Sequence, residues 1–254
     1  MQIKRLSGIA RNFDGMLIDQ FGVIHDGQKL YDGTLRILSE LAALKIPVAI
    51  MTNSGKRAAA NCSRLVDMGV PRQHFVDTVS SGEVAYHSLN VTRAFLIGRK
   101  GEDYGFDGIT FVDHPREAEA ILILGSNAPQ TSLAEYRKLL EGLTLPAICC
   151  NPDKLMLTAT GLQPAPGAIA ALYEGMGGPV TWIGKPYPQI YHHACQLIGN
   201  PQCVLCIGDS AEHDVAGGRA AGLATLLVLT GVSTGQDPAK LKPQPDYWIK
   251  TFEW

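Results

Sequence analysis

The sequence predicts an α/β protein built around parallel sheets. Short apolar runs rich in β-branched residues alternate along the chain with helical patterns, and polar or acidic residues follow several of these runs. Such alternation is typical of βαβ units, in which a helix connects neighbouring parallel strands. A chain of 254 residues, of which 46% are apolar, is long enough to bury a sizeable core in one large domain or two smaller ones.

The predicted elements follow one another in regular order. A first strand is predicted at Met16–Ile18 and a second at Val48–Met51, with Leu35, Leu38 and Leu41 at helical spacing between them. Both strands are apolar on their two faces, as is typical of parallel strands that helices cover on both sides. Further strands are predicted at Phe95–Ile97, Ile121–Leu124, Ala147–Cys150, Thr181–Ile183, Val204–Ile207 and Thr225–Leu229, and further helices at Leu133–Glu141, Gly167–Met176, Gln189–Ile198 and Asp214–Ala221.

The composition excludes several classes of function. The 22 Lys and Arg residues nearly balance the 24 Asp and Glu residues, so nucleic acid is not an expected partner. The longest uncharged apolar stretch, Ala220–Val232, is too short to cross a bilayer and is expected to be a buried strand, so no membrane association is expected. The first residues lack a secretory signal, and six cysteines are too few for a disulfide scaffold. We therefore expect a cytoplasmic protein with free thiols.

Polar or acidic residues follow four of the predicted strands. Asp19 and Thr52 come directly after the first and second strands, Lys185 follows a strand and Gly184, and Asp209 follows a strand and a glycine. In open α/β sheets, ligands bind beyond the carboxyl ends of the strands. We therefore expect these four side chains to converge at one edge of the sheet, although they lie far apart in the sequence.

The carboxylates in this set predict a metal site. Asp19 and Asp209, together with Asp214 as a third candidate, would repel one another unless a cation lay between them. Carboxylate oxygens are hard ligands that suit Mg²⁺, whose remaining positions are filled by water and substrate oxygens. The predicted cofactor is therefore Mg²⁺.

The remaining polar groups predict a site for a phosphoryl group. Lys185 supplies a positive charge, Thr52 a hydroxyl donor, and the backbone N–H groups of Asn53 and Ser54 can surround an anion. Phosphoryl transfer depends mainly on positioning and charge neutralisation, and an aspartate such as Asp19 can accept the group as an aspartyl-phosphate.

Four short segments in this order resemble the motifs of the haloacid dehalogenase superfamily. They are Leu17–Val23, Met51–Ser54, Gly184–Pro186 and Ile207–Val215. The long segment between the second and third motifs, which contains Asn151–Lys154, resembles the subgroup that carries a large α/β cap. That subgroup includes 4-nitrophenylphosphatases, nucleotide and sugar phosphatases, and pyridoxal phosphate phosphatase.

The resemblance implies an architecture and a metal-binding set. It implies a Rossmann-like parallel-sheet core in residues 1–88 and 176–254 and an inserted α/β cap, which selects the substrate, in residues 89–175. By the same resemblance, Asp19 is the nucleophile. Mg²⁺ is held by Asp19, the main-chain carbonyl of Phe21 and Asp209, and Asp214 supports the metal site.

The resemblance also assigns residues that bind the substrate. Thr52 binds a phosphoryl oxygen, and Lys185 steadies both the nucleophile and the phosphate. In the cap, Asn151 and Asp153 are candidates for contact with the substrate. A turn formed by Asn-Pro-Asp explains the same residues equally well.

One position departs from the pattern of the phosphatases in this superfamily. The residue two after the nucleophile is usually an aspartate that protonates the leaving group, whereas here it is Phe21. General acid catalysis typically contributes 10²- to 10⁴-fold. Three explanations are open: the leaving group of the substrate needs no proton, another residue acts as the acid, or turnover is weak. His25 and Asp26 are the nearest candidate acids, although a turn is the favoured explanation for both.

The sequence therefore predicts a Mg²⁺-dependent phosphatase acting on a small phosphorylated metabolite. Two alternatives stay open. The first is a binding protein that keeps its affinity for Mg²⁺ and phosphate but catalyses poorly. The second is a hydrolase of carbon–halogen bonds, because haloacid dehalogenases also carry an aromatic residue two positions after the nucleophile. The acidic motif at Asp209 and Asp214 favours phosphorus over carbon. A homo-oligomer is neither predicted nor excluded.

Overall fold

Parallel sheets form the framework of the chain. The computed structural model describes residues 1–158 and 161–254, and these residues form two compact units. The first unit comprises Met1–Thr52, Ala59–Val79 and Lys185–Trp254, and the second comprises Asn53–Ala58 and Ser80–Gly184. The predicted fold class, α/β with parallel sheets, is confirmed. The boundaries expected for the core (residues 1–88 and 176–254) and the cap (residues 89–175) remain predictions, because compactness alone does not show where a cap begins.

The strands and helices cover most of the predicted positions. The strands are β1 (Gly15–Asp19), β2 (Val48–Thr52), β3 (Asp77–Ser80), β4 (Arg93–Ile97), β5 (Thr110–Val112), β6 (Ala120–Ile123), β7 (Ala147–Cys149), β8 (Leu155–Thr158), β9 (Gly161–Pro164), β10 (Val180–Trp182), β11 (Val204–Gly208), β12 (Ala224–Val228) and β13 (Tyr247–Ile249). The helices are α1 (Thr34–Ala43), α2 (Ala58–Asp67), α3 (Ser81–Ser88), α4 (Leu133–Leu140), α5 (Pro166–Gly175), α6 (Pro188–Leu197) and α7 (Ala216–Ala220). Among these described helices, none is long and apolar enough to cross a membrane.

The sheet of six strands has the order β13-β12-β11-β1-β2-β3. Strand β1 lies at its centre and pairs in parallel with β11 on one side and β2 on the other, so that Ile18 is aligned with Ile207 and Ile50. All five residues of β1 are buried, because neighbouring layers cover both faces of the strand. Helix α1 contributes Ile37, Leu38 and Leu41 to the hydrophobic core of the first unit.

The second unit has its own parallel sheet of five strands in the order β10-β7-β6-β4-β5. Its core packs strand residues such as Ile121 and Ile123 against Tyr136 and Leu140 of α4 and Ile169 of α5. Strands β8 and β9 form a separate antiparallel pair.

The segment after β11 differs from the sequence-based expectation. A helix was expected over Asp214–Ala221, whereas the helical backbone begins as one turn of π-helix at Ala211–Val215 and continues into the short α7. The Ser210 side chain accepts a hydrogen bond from the backbone N–H of His213, which caps the π turn. Single π turns occur frequently at functional sites.

Candidate active site

The two central strands of the first sheet define a crevice at their carboxyl ends. The chain leaves β1 toward β2 and leaves β11 toward β12, which lie on opposite sides. This reversal is a topological switch point, where ligands of open α/β sheets bind. Asp19 is the last residue of β1, and Asp209 directly follows β11. The alternation of strands and helices therefore brings together two carboxylates that are distant in the sequence.

Three carboxylates lie together in this crevice. Asp19, Asp209 and Asp214 are all buried, and each offers an oxygen atom that lies within 4.8 Å of the others. Buried like charges at this separation repel strongly unless a cation compensates them. Three carboxylates are a donor set that fits a hard divalent cation.

Lys185 supplies a positive charge inside the cluster. Its Nζ lies 2.7 Å from Oδ1 of Asp19 and 2.7 Å from Oδ1 of Asp214, and the side chain is 4% exposed. Although burial lowers the pKa of the lysine, the two carboxylates raise it above its usual value, so the ammonium stays charged. One ammonium among three ionised carboxylates leaves a formal charge of −2, which favours a further cation.

The pKa values of two carboxyl groups reflect this crowding. Burial raises the pKa of Asp19 well above its usual value, and the charges of Asp214 and Asp209 act in the same direction against the lowering effect of Lys185. Burial, with the charge of Asp214, raises the pKa of Asp209 to about 6. A bound cation would stabilise both ionised forms and reverse these shifts.

The π turn directs Asp214 back toward the end of β11. Its Oδ2 accepts the backbone N–H of Ser210 at 3.1 Å, while its Oδ1 binds Lys185. A Cβ atom at position 208 would lie 1.9 Å from Cγ of Asp214, so this approach requires Gly208. The Cys206 thiol, fully buried in β11, contacts the Asp214 carbonyl oxygen at 3.7 Å.

Thr52 and the nucleophile candidate end neighbouring strands of the first unit. Thr52 is the last residue of β2 and is buried. Oδ1 of Asp19 accepts the backbone N–H of Gln20 at 2.7 Å in addition to its contact with Lys185.

The remaining predicted phosphate and substrate residues belong to the second unit. Asn53 donates to Oδ1 of Asp153 at 2.8 Å and accepts a hydrogen bond from Ser81 at 3.2 Å. Asn151 accepts the backbone N–H of Asp153, which is the geometry of an Asx turn, as the turn explanation requires. Ser54 accepts the backbone N–H of Lys56 at 3.2 Å. Sequence reasoning did not select Ser81, because a lone serine at the start of a helix is usually a structural residue.

Two family models match the chain on either side of its middle part. The model for haloacid dehalogenase-like hydrolases matches residues 16–108, and a second model, described as HAD-hydrolase-like, matches residues 182–254. These ranges contain Asp19, Thr52, Lys185, Asp209 and Asp214. The chain belongs to the haloacid dehalogenase-like hydrolases.

The relatives of this haloacid dehalogenase-like hydrolase include named phosphatases. D-glycerol 3-phosphate phosphatase from Mycobacterium tuberculosis is 27% identical over 95% of this chain and 70% of that protein. A haloacid dehalogenase-like hydrolase from Brucella suis superimposes with a TM-score of 0.88 at 26% identity, over 98% of this chain and 99% of the other. For p-nitrophenyl phosphatase from Archaeoglobus fulgidus the TM-score is 0.75 at 27% identity, over 94% and 96% of the two chains. The predicted family and the predicted class of enzyme, a phosphatase-type hydrolase, are confirmed.

In this haloacid dehalogenase-like hydrolase, Phe21 stands where a proton donor was expected. Its ring is 45% exposed and packs edge to face against the His25 ring, with a centroid distance of 4.4 Å. The Arg64 guanidinium lies 5.0 Å from the centroid of the Phe21 ring and donates to the carbonyl oxygen of Gly27. The ring is therefore held by neighbours within the first unit.

The two candidate replacement acids have turn contacts in the structure. His25 is fully buried, and its Nδ1 accepts the backbone N–H of Gly27 at 2.9 Å. Burial, with the charge of Arg64, lowers the pKa of His25 to about 4. Asp26 is exposed, and its Oδ1 accepts the backbone N–H groups of Gln28 and Lys29, which lower its pKa. A buried neutral imidazole and a turn-forming carboxylate are both poorly suited to donate a proton near pH 7.

Proposed function

We propose that this chain is a Mg²⁺-dependent phosphatase that hydrolyses a small phosphorylated metabolite through an aspartyl-phosphate on Asp19. The observation that carries the proposal is the buried cluster of three carboxylates with Lys185 at 2.7 Å from two of them. Mg²⁺ is the ion we assign, because buried oxygen ligands suit this small, hard cation. Asp19 and Asp209 would hold the ion, which would supply positive charge to the phosphoryl oxygens.

The contacts of Asp19 assign different roles to its two oxygen atoms. Oδ1 accepts hydrogen bonds from Gln20 and Lys185, so we assign Oδ2 as the attacking atom. As Oδ2 forms a bond to phosphorus, the bond between phosphorus and the leaving oxygen breaks, and that oxygen takes the electron pair. We assign Lys185 and Thr52 to the negative phosphoryl oxygens, because charge neutralisation dominates catalysis of phosphoryl transfer.

The second half of the reaction regenerates the carboxylate. A water oxygen attacks phosphorus, the bond from phosphorus to Oδ2 of Asp19 breaks, and inorganic phosphate is released with the water's protons shared between phosphate and solvent. The Gln20 and Lys185 contacts hold the carboxylate in one orientation through both halves.

The surroundings of Phe21 favour substrates with good leaving groups. Phe21 carries no proton, His25 has a pKa of about 4, and Asp26 holds a turn. We therefore expect acyl phosphates and nitrophenyl phosphate to react faster than phosphates of sugar alcohols. Sugar and triose phosphates belong in the same test, because D-glycerol 3-phosphate phosphatase is among the relatives.

The predicted substrate contacts of the second unit are part of the proposal. We expect Asn53 and Ser54, together with Asn151 and Asp153 of a cap at residues 89–175 that selects the substrate, to contribute to substrate binding. Asp153→Ala, which removes the acceptor of the Asn53 side chain, should then raise KM more than it lowers kcat.

The deciding experiment measures Mg²⁺-dependent phosphate release from compounds whose leaving groups range from acyl and nitrophenyl to sugar alcohols. We expect the rate to fall steeply as the pKa of the leaving group rises. Phe21→Asp should raise the rate on sugar phosphates by about 10²-fold or more, within the range of general acid catalysis. A flat profile would contradict the account of Phe21 and would show that another group donates the proton.

Asp19→Asn is the control for the nucleophile. Phosphate release should fall below detection while the fold persists, because the amide cannot form the aspartyl-phosphate. Retained activity in this variant would disprove the assignment of Asp19. If the wild-type protein releases no phosphate from any compound but binds Mg²⁺ and phosphate, it is a binding protein. Halide release that EDTA does not inhibit would instead identify a dehalogenase.

A further inference from the structure

A turn after β12 contacts one of the three clustered carboxylates. The backbone N–H of Val232 donates to Oδ2 of Asp209 at 2.7 Å. In the same turn, the hydroxyl of Thr230 donates to the carbonyl oxygen of Gly22, which lies in the loop after β1. The turn itself lies outside the segments that resemble known motifs, whereas both of its acceptors lie within them. The turn therefore joins the Asp209 carboxylate to the loop that follows the nucleophile.

Two glycines enclose the same carboxylate oxygen. A Cβ atom at Gly22 would lie 2.0 Å from Oδ2 of Asp209, and a Cβ atom at Gly231 would lie 1.8 Å from it. Both glycines have positive φ angles, +82° for Gly22 and +49° for Gly231, which residues other than glycine rarely adopt. Two backbone segments thus pack directly against Oδ2, and this space admits no side chain.

Gly22, whose carbonyl oxygen Thr230 contacts, is also held at its N–H group. The N–H of Gly22 donates to the carbonyl oxygen of His25 at 2.9 Å. In a planar trans peptide the N–H and the preceding C=O point in opposite directions. The Phe21 carbonyl, the main-chain ligand that the resemblance implies, is therefore aimed away from the His25 carbonyl. Hydrogen bonds on both polar groups of Gly22 hold this orientation.

We infer that Thr230, Gly231 and Val232 are positioning residues for the divalent cation, a role that rests on the proposed function. Val232 donates to Oδ2 of Asp209 and so fixes the orientation of the carboxylate that would hold the ion. Thr230 holds the carbonyl end of Gly22, the residue next to the Phe21 carbonyl, and thereby helps to set the distance between the Asp209 carboxylate and the Phe21 carbonyl. Partners of metal-binding groups typically change metal affinity or activity by 10- to 100-fold when they are removed.

The test is direct titration of the metal-free protein with Mg²⁺ by isothermal calorimetry. Thr230→Val removes the donor to Gly22 at nearly constant volume and should raise the Kd for Mg²⁺ about 10-fold. Thr230→Ser keeps the hydroxyl and should restore most of the affinity. Thr251→Val is the matched control, because it makes the same substitution in the first unit at an exposed hydroxyl that donates to Oε1 of Glu253 at 2.7 Å. Its Kd should stay within about twofold of the wild-type value, as expected of a residue without contact to the ligands.

Catalysis gives a second readout that a general loss of stability would not reproduce. The Mg²⁺ concentration for half-maximal phosphate release should rise in Thr230→Val, whereas kcat at saturating Mg²⁺ should approach the wild-type value. The melting temperature of each metal-free variant shows whether the fold is retained.

The possible outcomes distinguish a failure of the positioning role from a failure of the proposed function. If wild-type protein binds Mg²⁺ and Thr230→Val binds it equally well, the positioning role is wrong and the proposed function stands. The positioning role is also wrong if Thr230→Ser fails to restore affinity. If wild-type protein does not bind Mg²⁺, or if Asp209→Asn binds it unchanged, the metal site of the proposed function is wrong, and the positioning role fails with it.

Discussion

The crevice between β1 and β11 in the first unit holds Asp19, Asp209, Asp214 and Lys185, all of them buried. The second unit has the same kind of crevice, because the chain leaves β4 toward β5 and leaves β6 toward β7 on the other side. There, a Cβ atom at Gly125 would lie 2.0 Å from the Tyr104 hydroxyl. That hydroxyl accepts the backbone N–H of Arg99 at 2.8 Å, and the tyrosine is 6% exposed. The crevice of the first unit thus contains charged side chains, whereas that of the second unit contains the uncharged side chain of Tyr104.

The difference shows that topology provides the place for a ligand and side chains decide its use. Burying ionised groups costs desolvation free energy that their mutual attraction recovers only in part. The crevice of the first unit therefore opposes stability when no cation is bound, as functional sites often do. The buried aromatic ring of Tyr104 instead removes apolar surface from water and satisfies a backbone donor, so it stabilises the second unit.

The largest effect is expected when the positive charge is removed from the first crevice. Lys185→Met leaves three buried carboxylates without their ammonium, so the free energy of unfolding should fall by about 3–5 kcal/mol, and phosphate release should be lost. Urea unfolding of the metal-free protein measures the change. Lys240→Met is the matched control, because its exposed ammonium lies 3.9 Å from Asp237 and such surface pairs contribute about 1 kcal/mol or less. Equal effects of the two substitutions would contradict the account of the charged crevice.

A smaller effect is expected in the second crevice, and on stability alone. Tyr104→Ala should lower the free energy of unfolding by about 3 kcal/mol, because it leaves a cavity and an unpaired N–H at Arg99. The Kd of the first unit for Mg²⁺ should not change. Adding p-cresol, which reproduces the lost side chain, should raise the melting temperature of this variant more than that of wild-type protein. A loss of Mg²⁺ affinity would show that the two crevices are not independent.

The smallest effect is expected in the pH dependence of the metal-free protein. The pKa of Asp209 is about 6 in the folded state, against a usual value of 3.8. Between pH 4 and 6 the folded state therefore holds a proton that the unfolded state has lost, so this group's contribution to stability decreases as pH rises and is constant above pH 6. The difference corresponds to no more than about 3 kcal/mol.

Asp209→Asn removes this contribution, together with the part of the raised pKa of Asp19 that the charge of Asp209 causes. Its stability advantage over wild-type protein in EDTA should grow as pH rises from 4 to 6 and then level off. His25, which has the opposite pH dependence because its pKa is lowered to about 4, contributes equally to both proteins and cancels in the difference. A stability difference that is independent of pH would show that Asp209 is not perturbed.

The fold and the charged crevice were predictable because their signals are local. Strands such as β1 are short apolar runs, and the rule that ligands bind at carboxyl ends of strands places Asp19 beside Asp209. Helix α2 was not predicted, because most of its apolar residues are small and it buries Asn61 beside Leu65, so no run of large apolar residues marks its buried face. Strand β13 has three residues, of which Ile249 is the buried one, and such a short run has no detectable alternation.

Contacts made by the main chain cannot be predicted from the types of the residues involved. The donor to Asp209 is the backbone N–H of Val232, which any residue except proline would supply. Tyr104 likewise shows no periodic pattern, because it fills a crevice from a loop. The Phe21 substitution was visible in the sequence, whereas the burial of His25, which weakens it as a replacement acid, required the structure.

Cys206 provides a chemical reporter for motions of the first crevice. Its thiol is buried against the Asp214 carbonyl, and burial raises its pKa, so it is unreactive while β11 and the π turn stay closed. Cys203, three residues earlier, is exposed and reacts as an internal reference. The labelling rate of Cys206 relative to Cys203 therefore measures how often this part of the molecule opens transiently. A cation that binds the closed form should slow that rate in proportion to its occupancy.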